Sequence, residues 1–172
     1  MELNNKVAVI TGAGNGIGEA TAKLLSAKGV KLVLADFDKT NLERVEEDIK
    51  NAGGICVAIQ GNVTDEKDTE KIMKTAIDQY GSLNIMIPCA GIIKDGMMIS
   101  TDKETGKVKN KMSKEAWQAV IDVNLTGTFL CVRDASEAMI NSGSEGVIFT
   151  VSSVNKIGQI GQINYSSTKI AD

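Results

Sequence analysis

The sequence predicts an α/β fold in which a doubly wound parallel sheet carries helices on both faces. Short apolar, β-branched runs such as Lys6 to Ile10 alternate with longer segments of helical periodicity. A glycine-rich turn joins the first of these runs to the first helical segment. Alternating strands and helices connect through right-handed crossovers, so the sheet is expected to be parallel.

The predicted elements follow one another along nearly the whole chain. Strands are expected at residues 6–10, 31–35, 55–60, 84–87 and 147–151. Helices are expected at about 17–28, 38–52 and 65–80, in a long region capped by Ser113, and in a short segment carrying Tyr165. Residues 92–112 break this alternation and predict a surface loop or flap. We expect one domain over residues 1–172, since neither a repeat nor a second domain is evident.

Composition narrows the classes of function. The hydrophobic fraction of 42% is enough for a buried core, and the net charge of −3 argues against nucleic acid or an anionic membrane as partner. No stretch is long enough to span a bilayer and the first residues lack a signal-peptide pattern, so we expect a cytoplasmic protein. The three cysteines lack metal-ligand spacing and predict reduced thiols. The chain has no histidine, which excludes Ser-His-Asp catalysis and most zinc sites built from this chain alone.

The turn after the first strand has the sequence TGAGNGIG, with glycines at Gly12, Gly16 and Gly18. Glycines allow a tight turn and a close approach of backbone to a pyrophosphate, and the free amides of a helix start attract phosphates. Asn15 and Ile17 lie between these glycines at the helix start. The turn therefore predicts a dinucleotide site in a Rossmann-type sheet with the strand order 3-2-1-4-5.

The second strand ends at Asp36, where an acidic side chain can accept hydrogen bonds from both hydroxyls of an adenosine ribose. Its charge would repel a 2′-phosphate, and neither Asn15 nor Phe37 offers a cation to bind one. We therefore expect NAD as the cofactor rather than NADP. The alternative interpretation of Asp36 is the polar end of a strand.

Two later strand ends add candidate cofactor contacts. Asn62 and Val63 follow the third strand, where Asn62 either binds adenine or forms an Asx turn. Ala90 and Gly91 follow the fourth strand, and small residues at that edge of the sheet leave room for a dinucleotide.

Tyr165 and Lys169 are four residues apart in the last predicted helix, so their side chains share one helix face. An ammonium held beside a phenol favours the phenolate and suits the pair to proton transfer. A chance pair on a solvated face is the alternative. Asn124 lies within the apolar pattern of the long helical region, where a buried asparagine needs hydrogen-bond partners.

Together these motifs resemble the classical branch of the short-chain dehydrogenase/reductase family over essentially the whole chain. They are TGxxxGxG, a Cys-Ala-Gly after the fourth strand, an Asp-Val-Asn in the long helix, the pair Ser152-Ser153, and YxxxK at Tyr165. The glycine spacing differs from the TGxxGxxG of the extended epimerase and dehydratase branch. The members that the chain resembles include β-ketoacyl-carrier-protein reductases.

The resemblance implies an NAD-dependent oxidoreductase that interconverts a small alcohol and a ketone. Tyr165 would be the general acid/base, and Lys169 would stabilise the phenolate and bind the nicotinamide ribose. Ser153 would hydrogen-bond the carbonyl or alcohol, and Asn124 would hold a water in a proton relay. The resemblance also implies a homodimer or homotetramer. The alternative is a non-catalytic dinucleotide-binding or interaction protein, or an inactive fragment of a family member.

Three departures from the family pattern bear on these expectations. Pro88-Cys89 stands where the family usually has Asn-Asn. Counting forward from the predicted fifth strand selects Ser153 as the active serine. Counting back from Tyr165 by the interval usual in the family selects Ser152. Family members also continue through at least one more βα unit beyond the YxxxK helix, so we expect these C-terminal βα units to be absent from this chain.

Overall fold

The computed structural model describes residues 2–171, which form two compact units. The first unit comprises the described residues up to Ala90 together with Gly127–Thr150. The second comprises Gly91–Thr126 together with the residues from Val151 onward. Each unit thus joins segments that are distant in sequence.

The secondary structure alternates as the sequence predicts. The strands are β1 (Val7–Thr11), β2 (Lys31–Asp36), β3 (Cys56–Gln60), β4 (Ile85–Pro88), β5 (Ile99–Thr101), β6 (Val108–Lys111) and β7 (Val147–Ile148). The helices are α1 (Gly16–Ser26), α2 (Lys39–Asn51), α3 (Glu66–Tyr80), α4 (Lys114–Ile121), α5 (Gly127–Asn141) and α6 (Ile163–Lys169). A π-helical segment spans Asp122–Thr126 and a 3₁₀ turn spans Val154–Ile157.

The first unit is organised around a parallel sheet with the order β3-β2-β1-β4-β7. The predicted order 3-2-1-4-5 is confirmed, since β7 is the fifth strand of this sheet along the chain. Every residue of β1 is buried. Successive strand residues point to opposite faces, so both faces of the central strand are covered. Helix α1 packs beside α2, and α3 packs beside α5.

The fifth strand differs from its prediction. The sequence predicted a buried strand from Val147 to Val151, which is wrong in both length and burial. β7 has two half-buried residues, and one further hydrogen bond joins Phe149 N–H to the Met86 carbonyl at 2.9 Å. The Phe149 side chain is 55% exposed. β4 is the one neighbour of β7 in the described sheet, so an apolar run does not by itself bury this strand.

The second unit contains the segment predicted as a loop or flap, and part of it forms a hairpin. β5 and β6 pair antiparallel, with an irregularity between Ser100 and Thr101. At the turn, one carboxylate oxygen of Asp102 accepts hydrogen bonds from the N–H groups of Glu104 and Thr105. Gly106 adopts a positive φ of 67°. These are turn-forming residues, and they are the sequence signal for this hairpin.

The long helical region begins as predicted and then changes its hydrogen-bond pattern. Ser113 caps α4, with its hydroxyl accepting from Ala116 N–H at 3.1 Å. The π-helical segment follows directly and contains Asn124. Such single π turns occur frequently at functional sites.

Candidate active site

Two glycines of the predicted phosphate turn lie too close to other backbone to carry a side chain. A Cβ added to Gly18 would lie 2.1 Å from the Gly12 carbonyl oxygen. Gly12 has a φ of +66°, and a Cβ there would lie 2.7 Å from the amide nitrogen of Ala90. Helix α1 therefore meets the end of β1 backbone to backbone, which leaves the outside of the turn open to a phosphate.

The start of α1 offers backbone amides that have no partner within the helix. Asn15 is the N-cap in extended conformation, and its side chain makes no capping hydrogen bond. The first-turn N–H groups, at Gly16, Ile17 and Gly18, have no carbonyl partner within an α-helix. Asn15, Gly16 and Ile17 are exposed. These amides and the helix dipole suit an anion.

Asp36 lies beside the glycine turn. One oxygen, Oδ2, accepts from Gly14 N–H at 2.8 Å, and the other, Oδ1, accepts from Asp38 N–H at 2.9 Å. A carboxylate has about four acceptor sites, so both oxygens keep capacity for ribose hydroxyls. Phe37 follows with 72% of its side chain exposed. These residues fit the adenosine half of a dinucleotide.

A cluster of three charged side chains, Glu19, Lys23 and Arg44, contacts the glycine turn through Gly14. The sequence analysis did not predict this cluster. Arg44 Nη2 donates to the Gly14 carbonyl at 3.0 Å, while its two Nη atoms contact the carboxylate of Glu19 at 2.9 and 2.7 Å. Lys23 donates to Glu19 at 2.7 Å. Hydrogen bonds from Arg44, then Lys23, lower the pKa of Glu19 from 4.5 to about 2. Only the Glu19–Lys23 spacing was visible in sequence, since Arg44 belongs to another helix.

Asn62 forms the Asx turn that was one of its two interpretations. Its Oδ1 accepts from the N–H and from the hydroxyl of Thr64, at 3.1 and 3.0 Å. Its Nδ2 group remains as a donor that adenine can accept from. Val63 is buried against Gly127, where an added Cβ would lie 2.7 Å from Val63 Cγ2. Ala90 is half-buried at the end of β4.

The second unit holds the four predicted catalytic residues and Gly91, which is exposed. Asn124 is fully buried in the π-helical segment. Its Oδ1 accepts from Ile92 N–H at 2.8 Å and its Nδ2 donates to the Ile92 carbonyl at 2.9 Å. The side-chain amide therefore has the hydrogen-bond partners that burial requires.

The two candidate serines have different hydrogen bonds. The Ser152 hydroxyl donates to the Lys169 carbonyl at 2.8 Å. The Ser153 hydroxyl accepts from Asn155 N–H at 3.2 Å and caps the 3₁₀ turn. A hydroxyl has one hydrogen to donate, so Ser153 keeps its donor for a ligand whereas Ser152 has used it.

Tyr165 and Lys169 occupy successive turns of α6. Lys169 is buried, and its ammonium donates to the Val151 carbonyl at 2.6 Å. Tyr165 is half-buried, its backbone N–H donates to Asn164 Oδ1, and its hydroxyl bonds to no other group among residues 2–171. The phenol therefore remains available to a ligand.

The cysteines are not in disulfides, and Cys56 and Cys131 are buried. Burial raises the pKa of Cys131 to about 12. Cys89, where the family pattern has asparagine, is half-buried. Within residues 2–171 no cluster of acidic or cysteine side chains could hold a metal ion, and none of the described helices could cross a membrane.

A family model described as short chain dehydrogenase matches residues 6–171. The chain belongs to the short-chain dehydrogenase family. Its 3-oxoacyl-[acyl-carrier-protein] reductase relative from Synechocystis sp. is 36% identical over 97% of this chain and 64% of its own length. The relative of the same name from Staphylococcus aureus is 34% identical over 95% of the chain and 63% of its own length. The chain thus spans less than two thirds of these curated relatives.

Solved structures of family members share the fold. A short-chain dehydrogenase/reductase from Burkholderia phymatum, solved in complex with NAD, superposes with a TM-score of 0.89 at 28% sequence identity. The match includes 99% of the present chain and 57% of the Burkholderia chain. A structure described as short-chain dehydrogenase/reductase, glucose/ribitol dehydrogenase, from Brucella melitensis superposes with a TM-score of 0.86 at 28% identity. This match includes 99% of the present chain and 67% of the Brucella chain. The Rossmann-type assignment is therefore confirmed.

Proposed function

We propose that this short-chain dehydrogenase chain carries the cofactor-binding and catalytic residues of an NAD-dependent oxidoreductase that interconverts an alcohol and a ketone. The observation that carries the proposal is the arrangement of α6. One turn of this helix presents a phenol that bonds to no other group in the described part of the chain, and the next turn fixes a buried ammonium on the Val151 carbonyl.

Each side chain has a role that its contacts allow. Tyr165 exchanges a proton with the substrate oxygen, and Ser153 donates its free hydroxyl hydrogen to that oxygen. Lys169 contributes the positive charge that stabilises a phenolate and binds the nicotinamide ribose. Asn124, held by Ile92, orders the π-helical segment and the water of a proton relay. NAD, when bound, accepts or supplies the hydride.

We propose NAD rather than NADP because of Asp36. Its carboxylate is fixed by Gly14 and Asp38, so it cannot easily turn away from a 2′-phosphate. Gly12, Asn15, Gly16, Ile17 and Gly18 would hold the pyrophosphate, while Phe37, Asn62, Val63, Ala90 and Gly91 would contact the rest of the dinucleotide. Comparing the dissociation constants of NADH and NADPH tests this preference, which Asp36→Ser should reduce.

The substrate is proposed to be a small carbonyl or alcohol compound. The names of the two curated relatives specify 3-oxoacyl groups, which places β-ketoacyl thioesters first in a panel of ketones. A homodimer or homotetramer and a cytoplasmic location remain predictions. Sedimentation would report the oligomeric state.

The decisive experiment is NADH oxidation with a panel of ketones. Tyr165→Phe should lower turnover by about 100- to 10,000-fold, the usual contribution of general acid–base catalysis, while leaving NADH binding intact. Tyr80→Phe is the matched control, because Tyr80 is the other tyrosine of the chain and bonds to the Leu32 carbonyl in the first unit. Equal loss of turnover in both variants would contradict the assigned role of Tyr165.

A non-catalytic dinucleotide-binding protein is the second candidate. The observation that favours it is Cys89, which replaces the amide of the family pattern next to Ala90 and Gly91. Binding of NADH without turnover of any ketone, in the same assay, would favour this candidate over the enzyme.

A further inference from the structure

Two fully buried asparagines of the second unit bond to one short segment of backbone, residues 92–96. Asn124 pairs with both backbone groups of Ile92. Asn164 reaches the same segment two residues later, where its Nδ2 donates to the Lys94 carbonyl at 2.9 Å. Both asparagine side chains are 0% exposed. Two buried side-chain amides therefore hold residues 92–96, one at Ile92 and the other at Lys94.

The turn before α6 bonds to the same segment. Gly96 N–H donates to the Gly161 carbonyl at 2.8 Å, and the Gln162 side chain donates to the Asp95 carboxylate at 2.8 Å. Lys94, Asp95 and Gly96 therefore each bond to the start of α6. Among the side chains in these contacts, that of Asn164 is fully buried whereas that of Gln162 is half-buried, so the Asn164 amide depends on its protein partners.

The side-chain oxygen of Asn164 bonds within α6, the helix that carries Tyr165. Its Oδ1 accepts from Tyr165 N–H at 2.8 Å. The first-turn amides of a helix lack carbonyl partners, and a helix of seven residues is too short to be stable without packing. One side chain thus supplies a partner to a first-turn amide and joins α6 to residues 92–96.

We propose that Asn164 is a positioning residue for Tyr165. It contacts no reacting atom, and it fixes the backbone from which the phenol projects. This inference rests on the proposed function, in which Tyr165 exchanges a proton with substrate. Because a displacement of about 1 Å at a reacting group costs roughly 100-fold in rate, Asn164→Ala should lower kcat about 10- to 100-fold. KM should change less than about threefold, since ground-state binding is not the affected step.

The control is Asn84→Ala. Asn84 is also buried and also joins two backbone groups, accepting from Val7 N–H and donating to the Glu145 carbonyl, but it belongs to the first unit. It reports how far the loss of such an amide affects turnover through stability alone. Asn84→Ala should keep kcat within about twofold of the unmodified protein.

A double variant separates positioning from a general structural effect. If Asn164 acts through Tyr165, Asn164→Ala should cause no further loss in a Tyr165→Phe background, where residual turnover no longer uses the phenol. Full additivity of the two losses would overturn the proposal. So would a kcat for Asn164→Ala within twofold of the unmodified protein.

Asn164→Asp provides a second variant should Asn164→Ala not fold. It keeps an oxygen for Tyr165 N–H but replaces the donor to Lys94 with an acceptor, so it should resemble the alanine variant. A normal kcat for Asn164→Asp would overturn the proposal.

Failure of the proposed function has a different signature, namely no turnover by the unmodified protein. Amide exchange then decides the inference: both Asn164 variants should accelerate exchange at Tyr165 and at residues 92–96, and unchanged exchange would overturn it.

Discussion

Removing the charge of Glu19 should weaken the fold in a pH-dependent way. Glu19 lies in α1, and Arg44 of α2 contacts both its carboxylate and the Gly14 carbonyl of the phosphate turn. Glu19→Gln keeps the side-chain length and one acceptor oxygen while removing the charge. The variant should therefore lose the free energy that the lowered pKa of Glu19 represents.

The magnitude follows from linkage. A pKa lowered from 4.5 to about 2 corresponds to roughly 3 kcal/mol of folding free energy. Solvent screening reduces this, because the Lys23 and Arg44 side chains are 43% and 45% exposed, so about 1–2 kcal/mol is expected. The folded-state pKa is the lower one, so the contribution is complete above about pH 5 and is lost as the pH falls towards 2. At about pH 3.5, roughly 40% of the contribution of Glu19 to the free energy of folding should be lost.

Urea unfolding followed by circular dichroism at about pH 7 and pH 3.5 measures these differences. Glu19→Gln should unfold with a free energy about 1–2 kcal/mol below that of the unmodified protein at the higher pH, and the gap should narrow at the lower pH. Asp78→Asn is the control, because Asp78 pairs with Lys74 on the solvated surface of α3 and should change stability by less than about 0.5 kcal/mol. A gap that stays constant between the two pH values would refute the reasoning.

Three further outcomes are expected. Ser166→Ala should raise the free energy of unfolding by about 1 kcal/mol, because the buried Ser166 hydroxyl finds no hydrogen-bond partner within residues 2–171. An unchanged or lower melting temperature would contradict this. Gly18→Ala should cost at least about 2 kcal/mol and weaken NADH binding, because its Cβ would overlap the Gly12 carbonyl. Gly96→Ala should do neither, because its Cβ would make only an ordinary van der Waals contact, 3.8 Å from Met112 Cε. Iodoacetamide near pH 8 should modify the half-buried Cys89 before Cys131, whose pKa burial raises to about 12, and peptide mass mapping would reveal the reverse order.

Most of the fold was predictable because local chemistry determines it. The apolar runs that became β1 and β2 have no polar residue in their centres, and Gly12 and Gly18 mark a close approach of the α1 backbone to the turn after β1. Such features depend on neighbours in sequence. The ends of most elements accordingly lie within one or two residues of their predicted positions.

The parts that sequence did not reveal depend on distant partners. Arg44 reaches the phosphate turn across 30 positions, and Asn164 reaches Lys94 across 70. Neither residue lies in a local pattern that indicates its partner. The π-helical segment at Asn124 was equally hidden, because its pairing with Ile92 joins residues 32 positions apart.

The central position of β1 has a consequence for synthesis on the ribosome. β2 and β3 can pair on one side of β1 once residue 60 has been made, but the other edge waits for β4, which begins at Ile85. At about 5–20 residues per second, the nascent chain exposes that unpaired apolar edge for roughly 1–5 s. During this interval the half-sheet offers a template for pairing with other chains, until β4 pairs with β1 and covers that edge.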